Sequence, residues 1–271
     1  MKLIRATAFI VATPPPNLGG YYWYFVKLET DSGHVGWGET AVLFSLYGMD
    51  GAFEQLVEGL FNRYLLGQDP TNRDMLNKLM YAGFSSQHSD YFAGGLISAF
   101  DMAMWDICGK VYEAPICDLL GGRYRDRIRT YSYIMDPDFE GNLEDAAADW
   151  SENPKKVAEN ARKIVDHGFT GIKLDPLKYQ LPGTQPIGPW EISMKEYDHA
   201  ERTIEAIREE VGNEADIIIG THGQITPSVS RRLAARLEKF DPLWLEEPCP
   251  PENADEMARI AASTTIPIAT G

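Results

Sequence analysis

Side chains that can do chemistry follow three consecutive predicted strands, at the point where each strand ends. Lys173 and Asp175 close the first of these strands, His222 follows the second, and Glu246 and Glu247 close the third. Alternate residues of a strand share a face, so Lys173 and Asp175 should project together. A carboxylate suits a hard cation, and lysine and histidine can transfer protons. A lone lysine is usually a solvated surface residue and a lone histidine usually a structural one, but their coincidence at three strand ends favours a catalytic site.

Short apolar strands and amphipathic helices alternate from about residue 126 onwards, which predicts a parallel sheet. Periodicity alone leaves open a doubly wound sheet or part of a (β/α)8 barrel. In a barrel, the Pro/Gly-rich segment Lys178–Pro189 would lie at the carboxyl ends of the strands, where active sites are built. The predicted strands are Ile128–Ile134, Gly171–Leu174, Asp216–Ile219, Leu243–Glu246 and Ile266–Thr270, and the predicted helices are Lys155–His167, Lys195–Val211, Ser228–Glu238 and Asn253–Ala262.

The N-terminal part of the chain has a different pattern. An edge strand before Pro14 is followed by the strand-forming run Tyr22–Thr30, a turn at residues 31–33, and a returning arm at Val35–Glu39. From residue 51 to about 111 the apolar residues recur at helical spacing instead. A β-meander followed by helices predicts an α+β domain over residues 1–125, with the parallel β/α domain over residues 126–271.

Composition limits the classes of partner. The net charge of −15 argues against nucleic acid, whose phosphates need a basic surface. No apolar run approaches the length of a membrane span. The three scattered cysteines are predicted to be free thiols, which indicates a reducing, cytoplasmic location. A small anionic substrate would need a bound divalent cation to reverse the sign of charge at the site.

Six segments, in order along the chain, form a recognisable set of motifs: Gly36–Glu39, Ala99–Ile107, Leu119–Gly122, Gly168–Pro176, Trp244–Pro248 and Ile266–Gly271. Together they resemble the mandelate racemase/muconate lactonizing group of the enolase superfamily. Within that group the chain is most similar to the sugar-acid dehydratases of the D-galactonate type. These have a lysine-x-aspartate-proline stretch after the second strand and a histidine two residues past the third-strand metal ligand.

The resemblance implies a fold, a cofactor and a reaction. The expected fold is an α+β capping domain followed by a (β/α)8 TIM-type barrel, of which about the first five strands fall in this chain. The expected Mg²⁺ binds a substrate carboxylate and stabilises the enediolate that forms when a base removes the α-proton. A general acid then protonates the departing β-hydroxyl, and His222 matches the family's acid. Asp175 is expected to contact the substrate, with Lys173 as a second catalytic group.

Two departures concern the metal site. The family's third-strand aspartate ligand is replaced by Gly220, while Glu246 matches the fourth-strand ligand, with Glu247 beside it. The 26-residue spacing from Gly220 to Glu246, repeated, places the fifth-strand ligand at position 272. We therefore expect a longer protein of roughly 380–420 residues, the size of a complete cap and barrel. Asp175 in place of the second lysine of the racemases argues against a racemase that uses a lysine pair.

The resulting prediction is a Mg²⁺-dependent lyase that dehydrates a sugar acid and forms a homo-oligomer. A cycloisomerase or epimerase on the same scaffold is one alternative, because it shares the enediolate step. A degenerate, non-catalytic member is another, because a missing ligand weakens a hard-cation site. The segments Pro14–Tyr21 and Leu43–Met49 are predicted to form a lid that selects the substrate.

Overall fold

The structure, a computed structural model, describes residues 1–14, 22–40, 50–85, 91–136, 153–177 and 190–270. The predicted loop Lys178–Pro189 and the two predicted lid segments lie outside these ranges, apart from Pro14 itself. The chain divides into two compact units, Met1–Asp126 and Arg127–Gly271. In the described part of the chain, no helix combines the length and the hydrophobicity needed to cross a bilayer.

The first unit contains a three-stranded antiparallel sheet in the order β1-β2-β3. The predicted edge strand, turn and hairpin are confirmed in this sheet. Its hydrophobic core lies between the sheet and the helices, and the longest helix, α3, includes the predicted apolar positions from Leu96 to Ile107. The elements are β1 Leu3–Ala12, β2 Tyr22–Thr30, β3 Val35–Thr40, α1 Asp50–Leu60, α2 Arg73–Met80, α3 Tyr91–Val111 and α4 Ile116–Leu119.

Close packing of α3 on β3 explains two glycines of the Gly-Trp-Gly-Glu motif. A Cβ added at Gly36 would lie 2.0 Å from the carbonyl oxygen of Ala103, and one added at Gly38 would lie 1.8 Å from that of Ala99. Both contacts are with helix backbone, which cannot move aside as a flexible side chain could. These glycines are therefore required by the approach of helix to strand.

The second unit contains a five-stranded parallel sheet in the order β4-β5-β6-β7-β8. The strands of its centre are buried on both faces, as expected of a parallel sheet covered by helices. Thr226 accepts a hydrogen bond from Val229 N and Pro227 opens the next helix, as predicted. The elements are β4 Ser132–Tyr133, α5 Pro154–Asp166, β5 Gly171–Leu174, α6 Met194–Val211, β6 Asp216–Gly220, α7 Pro227–Leu237, β7 Trp244–Glu246, α8 Ala254–Ala261 and β8 Ile268–Ala269.

Two predicted strands are shorter in the structure than their sequence patterns indicate. The strand predicted at Ile128–Ile134 was wrong over most of its length, since only Ser132 and Tyr133 pair with β5. Because β5 begins at Gly171 and Ser132 lies opposite Ile172, residues 128–130 lie before the start of β5 and have no part of that strand beside them. Ile128 is accordingly 81% exposed. The last strand shortens to Ile268–Ala269 at its pairing with β7.

Candidate active site

The register of the parallel sheet brings the predicted polar residues to one edge. Lys173 on β5 lies opposite Ile218 on β6, and Gly220, at the end of β6, lies opposite Glu246 on β7. Asp175 follows directly after β5, and His222 lies two residues after the end of β6. The three strand ends therefore place the side chains of Lys173, Asp175, His222 and Glu246 together at the carboxyl edge of the sheet, where parallel sheets build their sites.

Lys173 and Glu246 form an ion pair in which the lysine is buried and the carboxylate is partly exposed. Only 5% of Lys173 is exposed, and its ammonium donates to Oε1 of Glu246. The second carboxylate oxygen, Oε2, accepts from the indole Nε1 of Trp244 at 2.9 Å. Nζ of Lys173 also lies 5.9 Å from the ring centroid of Tyr131 and 5.4 Å from that of Tyr133. A charge buried this deeply needs such a partner, and here both carboxylate oxygens are engaged.

The pKa shifts of this pair follow from its contacts. Burial opposes the charged form of Lys173 most strongly, but the hydrogen bond with Glu246 and the electrostatic attraction of Tyr133, Glu246 and Tyr131 together exceed it and raise the pKa of the lysine above its ordinary value. Burial likewise opposes the charged form of Glu246, but the hydrogen bonds from Lys173 and Trp244 lower the pKa of the carboxyl group overall. Both groups are therefore held in their charged forms.

His222 and Asp175 form the second pair. Nδ1 of His222 lies 3.2 Å from Oδ2 of Asp175, and the other oxygen of Asp175 accepts from Leu177 N at 2.9 Å. The hydrogen bond with Asp175 raises the pKa of His222, while burial raises the pKa of Asp175. Both shifts favour keeping a proton in the pair, because the buried carboxylate is costly to leave unpaired.

The turn that presents His222 is held by hydrogen bonds to the end of β7. His222 itself has φ 52°, a left-handed conformation that is uncommon outside glycine. Thr221 N donates to the carbonyl of Glu246 at 3.0 Å, and Gly223 N donates to that of Glu247 at 2.8 Å. Glu247 has φ 49° and donates its own N–H to the carbonyl of Ala269. The structure thus gives the backbone of Glu247 a positioning role, and its carboxylate as a metal ligand stays a prediction.

Three aromatic residues of the site were missed by the sequence analysis. Tyr131 and Tyr133 flank the ammonium of Lys173, and Trp244 binds Glu246. Trp244 is two residues from Glu246 on β7, so the two-residue period would have placed both on one face, whereas Tyr131 and Tyr133 share a face with each other but with no predicted site residue. For Trp244 the signal was present, but aromatic residues in a strand more often belong to the core.

The described residues do not fit a Mg²⁺ ion held as the resemblance implies. Gly220 has no side chain to coordinate with, and an added Cβ there would lie 3.0 Å from Cε of Lys173. Glu246, the matching ligand, is already bound by an ammonium and an indole N–H. Among the residues that the structure describes, no group of three or more His, Cys, Asp or Glu could hold a metal ion. One expected ligand is present, and a lysine lies beside it.

Comparison with known proteins agrees with this architecture. Residues 21–121 match the family model described as the mandelate racemase/muconate lactonizing enzyme N-terminal domain, and residues 156–271 match the one described as enolase C-terminal domain-like. A mandelate racemase/muconate lactonizing enzyme from Jannaschia sp. CCS1 has 37% sequence identity and a TM-score of 0.85, over 100% of this chain and 67% of that one.

Curated relatives extend the match to named enzymes. The chain is 33% identical to the D-galactonate dehydratase of Cronobacter sakazakii (strain ATCC BAA-894) and 34% identical to that of Klebsiella pneumoniae (strain 342). Each match covers 100% of this chain but 61% of the relative, so the chain spans about three fifths of the curated relatives' length.

The fold is thus a capping domain with an antiparallel sheet, followed by part of a (β/α) barrel, which confirms the predicted fold class. The chain belongs to the mandelate racemase/muconate lactonizing enzyme family of the enolase superfamily.

Proposed function

We propose that the protein dehydrates a sugar acid, removing the proton α to a carboxylate and eliminating the β-hydroxyl as water. The observation that carries this proposal is the pair of His222 and Asp175 at the carboxyl edge of the sheet, next to the pair of Lys173 and Glu246. An acid for the departing hydroxyl and a fixed positive charge are two of the three groups that elimination from an anionic substrate needs; the third, the base that takes the α-proton, is assigned to none of the described residues. The name of the curated relatives, D-galactonate dehydratase, supports the same reaction class.

His222 is the proposed general acid. Its hydrogen bond with Asp175 favours the imidazolium form, so the ring holds a proton that it can donate to the departing hydroxyl. His222 is about one third exposed, whereas the side chain of Asp175 is only 8% exposed. This geometry favours a positioning role for Asp175 through His222, in place of the direct substrate contact expected from sequence.

Lys173 is proposed to supply positive charge to the site. Its pKa is raised, so it stays protonated, and its ammonium lies between Glu246 and the rings of Tyr131 and Tyr133. Because the carboxylate of Glu246 balances its charge, the ammonium acts on an anionic substrate only at short range, within the site. Mg²⁺, expected from the resemblance, is assigned no step here because the described residues do not fit it.

The test is a product screen over acid sugars with the whole protein. Dehydration gives a 2-oxo-3-deoxy acid that is lighter than the substrate by one water, whereas epimerisation or cycloisomerisation gives a product of unchanged mass. A mass-conserving product would refute the proposal in favour of the isomerase alternative. No turnover of any acid sugar would instead favour a non-catalytic member.

The role of His222 is tested by His222→Asn, with His167→Asn as the matched control. His167 is exposed on the residue after α5 and contacts only the carbonyl of Lys163 among the bonds described for it. We expect His222→Asn to lower kcat by roughly a hundredfold or more and the control to leave it unchanged. Equal activity of the two variants would show that His222 is not the acid.

Location and assembly are also proposals. Cys108, Cys117 and Cys249 are free in the structure, which supports the reducing, cytoplasmic location expected from sequence.

Homo-oligomerisation is proposed by analogy with the family alone. Analytical ultracentrifugation of the whole protein tests it, and a monomer at micromolar concentration would contradict it.

A further inference from the structure

The backbone conformation of Gly220 does not call for glycine, and the end of the Lys173 side chain occupies the space beside it. It is not among the described glycines with positive φ, and it lies in a regular parallel ladder opposite Glu246. A side chain at this position would meet Lys173, since an added Cβ lies 3.0 Å from Cε and 3.8 Å from Nζ of that lysine. The same Cβ would lie 3.9 Å from Cε1 of His222. The absent side chain therefore leaves room for the end of Lys173.

Lys173 fills this space in a fully partnered arrangement. Its ammonium donates to Glu246, and the rings of Tyr131 and Tyr133 flank it within 6 Å. Aromatic faces attract a cation, most strongly where water is excluded, and Lys173 is 5% exposed. The indole of Trp244 holds the remaining oxygen of Glu246. A divalent ion bound to Glu246 would have to displace the ammonium and would meet its charge at contact distance.

We propose that Lys173 is a built-in cation, which takes the place of the divalent ion at the carboxyl edge of this sheet. Gly220 and Lys173 act together. Glycine at position 220 removes the carboxylate of a metal ligand, and the side chain of Lys173 occupies the space beside it and provides the positive charge. An anionic ligand in this site then meets an ammonium. This proposal concerns the charge carrier and goes beyond the proposed function, because it holds whichever reaction the site performs.

The test measures Mn²⁺ binding to the whole protein, by electron paramagnetic resonance and calorimetry, after treatment with EDTA and gel filtration. We expect no Mn²⁺ binding in the wild type that depends on Glu246. The double variant Gly220→Asp with Lys173→Met restores a carboxylate and removes the ammonium, and should bind Mn²⁺ at least roughly tenfold more tightly than the wild type, the value of one added charge-assisted ligand.

The matched control is Gly220→Asp with Lys163→Met. Lys163 forms an ion pair with Asp136 in the same unit, at 2.8 Å, so the control removes one paired lysine but leaves Lys173 in place. The added aspartate should then meet the ammonium of Lys173, and Mn²⁺ binding should stay at the wild-type level. Equal gains of Mn²⁺ affinity in both double variants would overturn the blocking role of Lys173.

Wild-type protein and Glu246→Gln decide the proposal even if the double variants do not fold. One Mn²⁺ per wild-type chain that is lost in Glu246→Gln would overturn it, because Glu246 would then be a metal ligand beside Lys173. Mn²⁺ binding that is the same in both proteins supports it, because the carboxylate of Glu246 then takes no part in metal binding. Neither measurement uses turnover, so this result can be interpreted even if the dehydratase proposal fails.

Discussion

The two ends of the five-stranded sheet carry different kinds of polar contact. At the amino ends of the strands, arginines bind backbone carbonyls and exposed acidic groups: Arg129 donates to Thr170 and Asp216, and Arg208 donates to four carbonyls. At the carboxyl ends, Lys173 pairs with Glu246 in a largely buried position. The first kind of contact connects loops to the sheet, whereas the second places a charged pair largely out of contact with water.

The energetic difference between these ends follows from solvent. The side chains of Arg129 and Asp216 are 52% and 42% exposed, so water and salt screen their attraction. Those of Lys173 and Glu246 are 7% and 23% exposed, so either charge left without the other would be costly. Removing one partner should therefore have very different consequences at the two ends.

The largest expected effect is that of Glu246→Ala. This change leaves the ammonium of Lys173 buried without its carboxylate, so we expect the free energy of unfolding to fall by about 3–5 kcal/mol. Urea denaturation at neutral pH measures it. Glu252→Ala, at an exposed residue before α8, serves as the control for loss of a carboxylate. A loss no greater than in the control would mean that the pair contributes nothing to stability.

Arg208→Met tests whether the contacts at the amino ends of the strands contribute to stability but not to catalysis. The guanidinium donates to the carbonyls of Gly212, Ala215, Phe240 and Asp241, at 2.7–3.3 Å. We expect a loss of about 1–3 kcal/mol, because Met keeps the length of the side chain but leaves these acceptors without their donor. The kcat of the folded variant should not change, and Arg231→Met on the exposed surface of α7 is the control. A loss of kcat with unchanged stability would contradict this prediction, because Arg208 would then contribute to catalysis and not to the stability of the fold.

Asp175→Asn tests the pairing of His222 with Asp175 at the carboxyl ends of the strands. The hydrogen bond from His222 to Asp175 raises the pKa of the histidine, and a general acid works only below its own pKa. Without the carboxylate that pKa falls, so the basic limb of the kcat profile should move to lower pH. Steady-state kinetics over a range of pH measure this shift. Asp166→Asn, exposed at the end of α5, is the control, and a basic limb that moves equally in both variants would contradict the pairing.

Sequence analysis predicted the elements whose signals are local. β5 and β6 were predicted within one residue because each is a short apolar run followed by polar residues, and α7 because Thr226 and Pro227 mark its start. β4 was overestimated, since its length depends on where β5 begins, about 40 residues further along the chain. The register between β4 and β5 cannot be read from the sequence pattern of either strand alone.

The candidate site was predicted as a set of residues but not as a set of contacts. Strand ends brought Lys173, Asp175, His222 and Glu246 together, as the pattern indicated. Glu246 was expected to face a metal ion, whereas it binds Lys173, which is 73 residues away in sequence. Gly220 was identified from sequence as a lost ligand. Its steric role beside Lys173 needed coordinates, because it depends on the conformation of a side chain on the neighbouring strand.

The smallest expected effect is that of Asp216→Asn, at the amino end. Arg129 would keep its bonds to the side chain and carbonyl of Thr170, and the lost ion pair is exposed, so the free energy of unfolding should change by less than about 1 kcal/mol. The difference between wild type and variant should shrink further in 1 M NaCl, because the Debye length there is only about 3 Å. Urea denaturation at two salt concentrations measures both quantities. A salt-independent loss as large as that of Glu246→Ala would mean that the two ends of the sheet do not differ in how they hold charge.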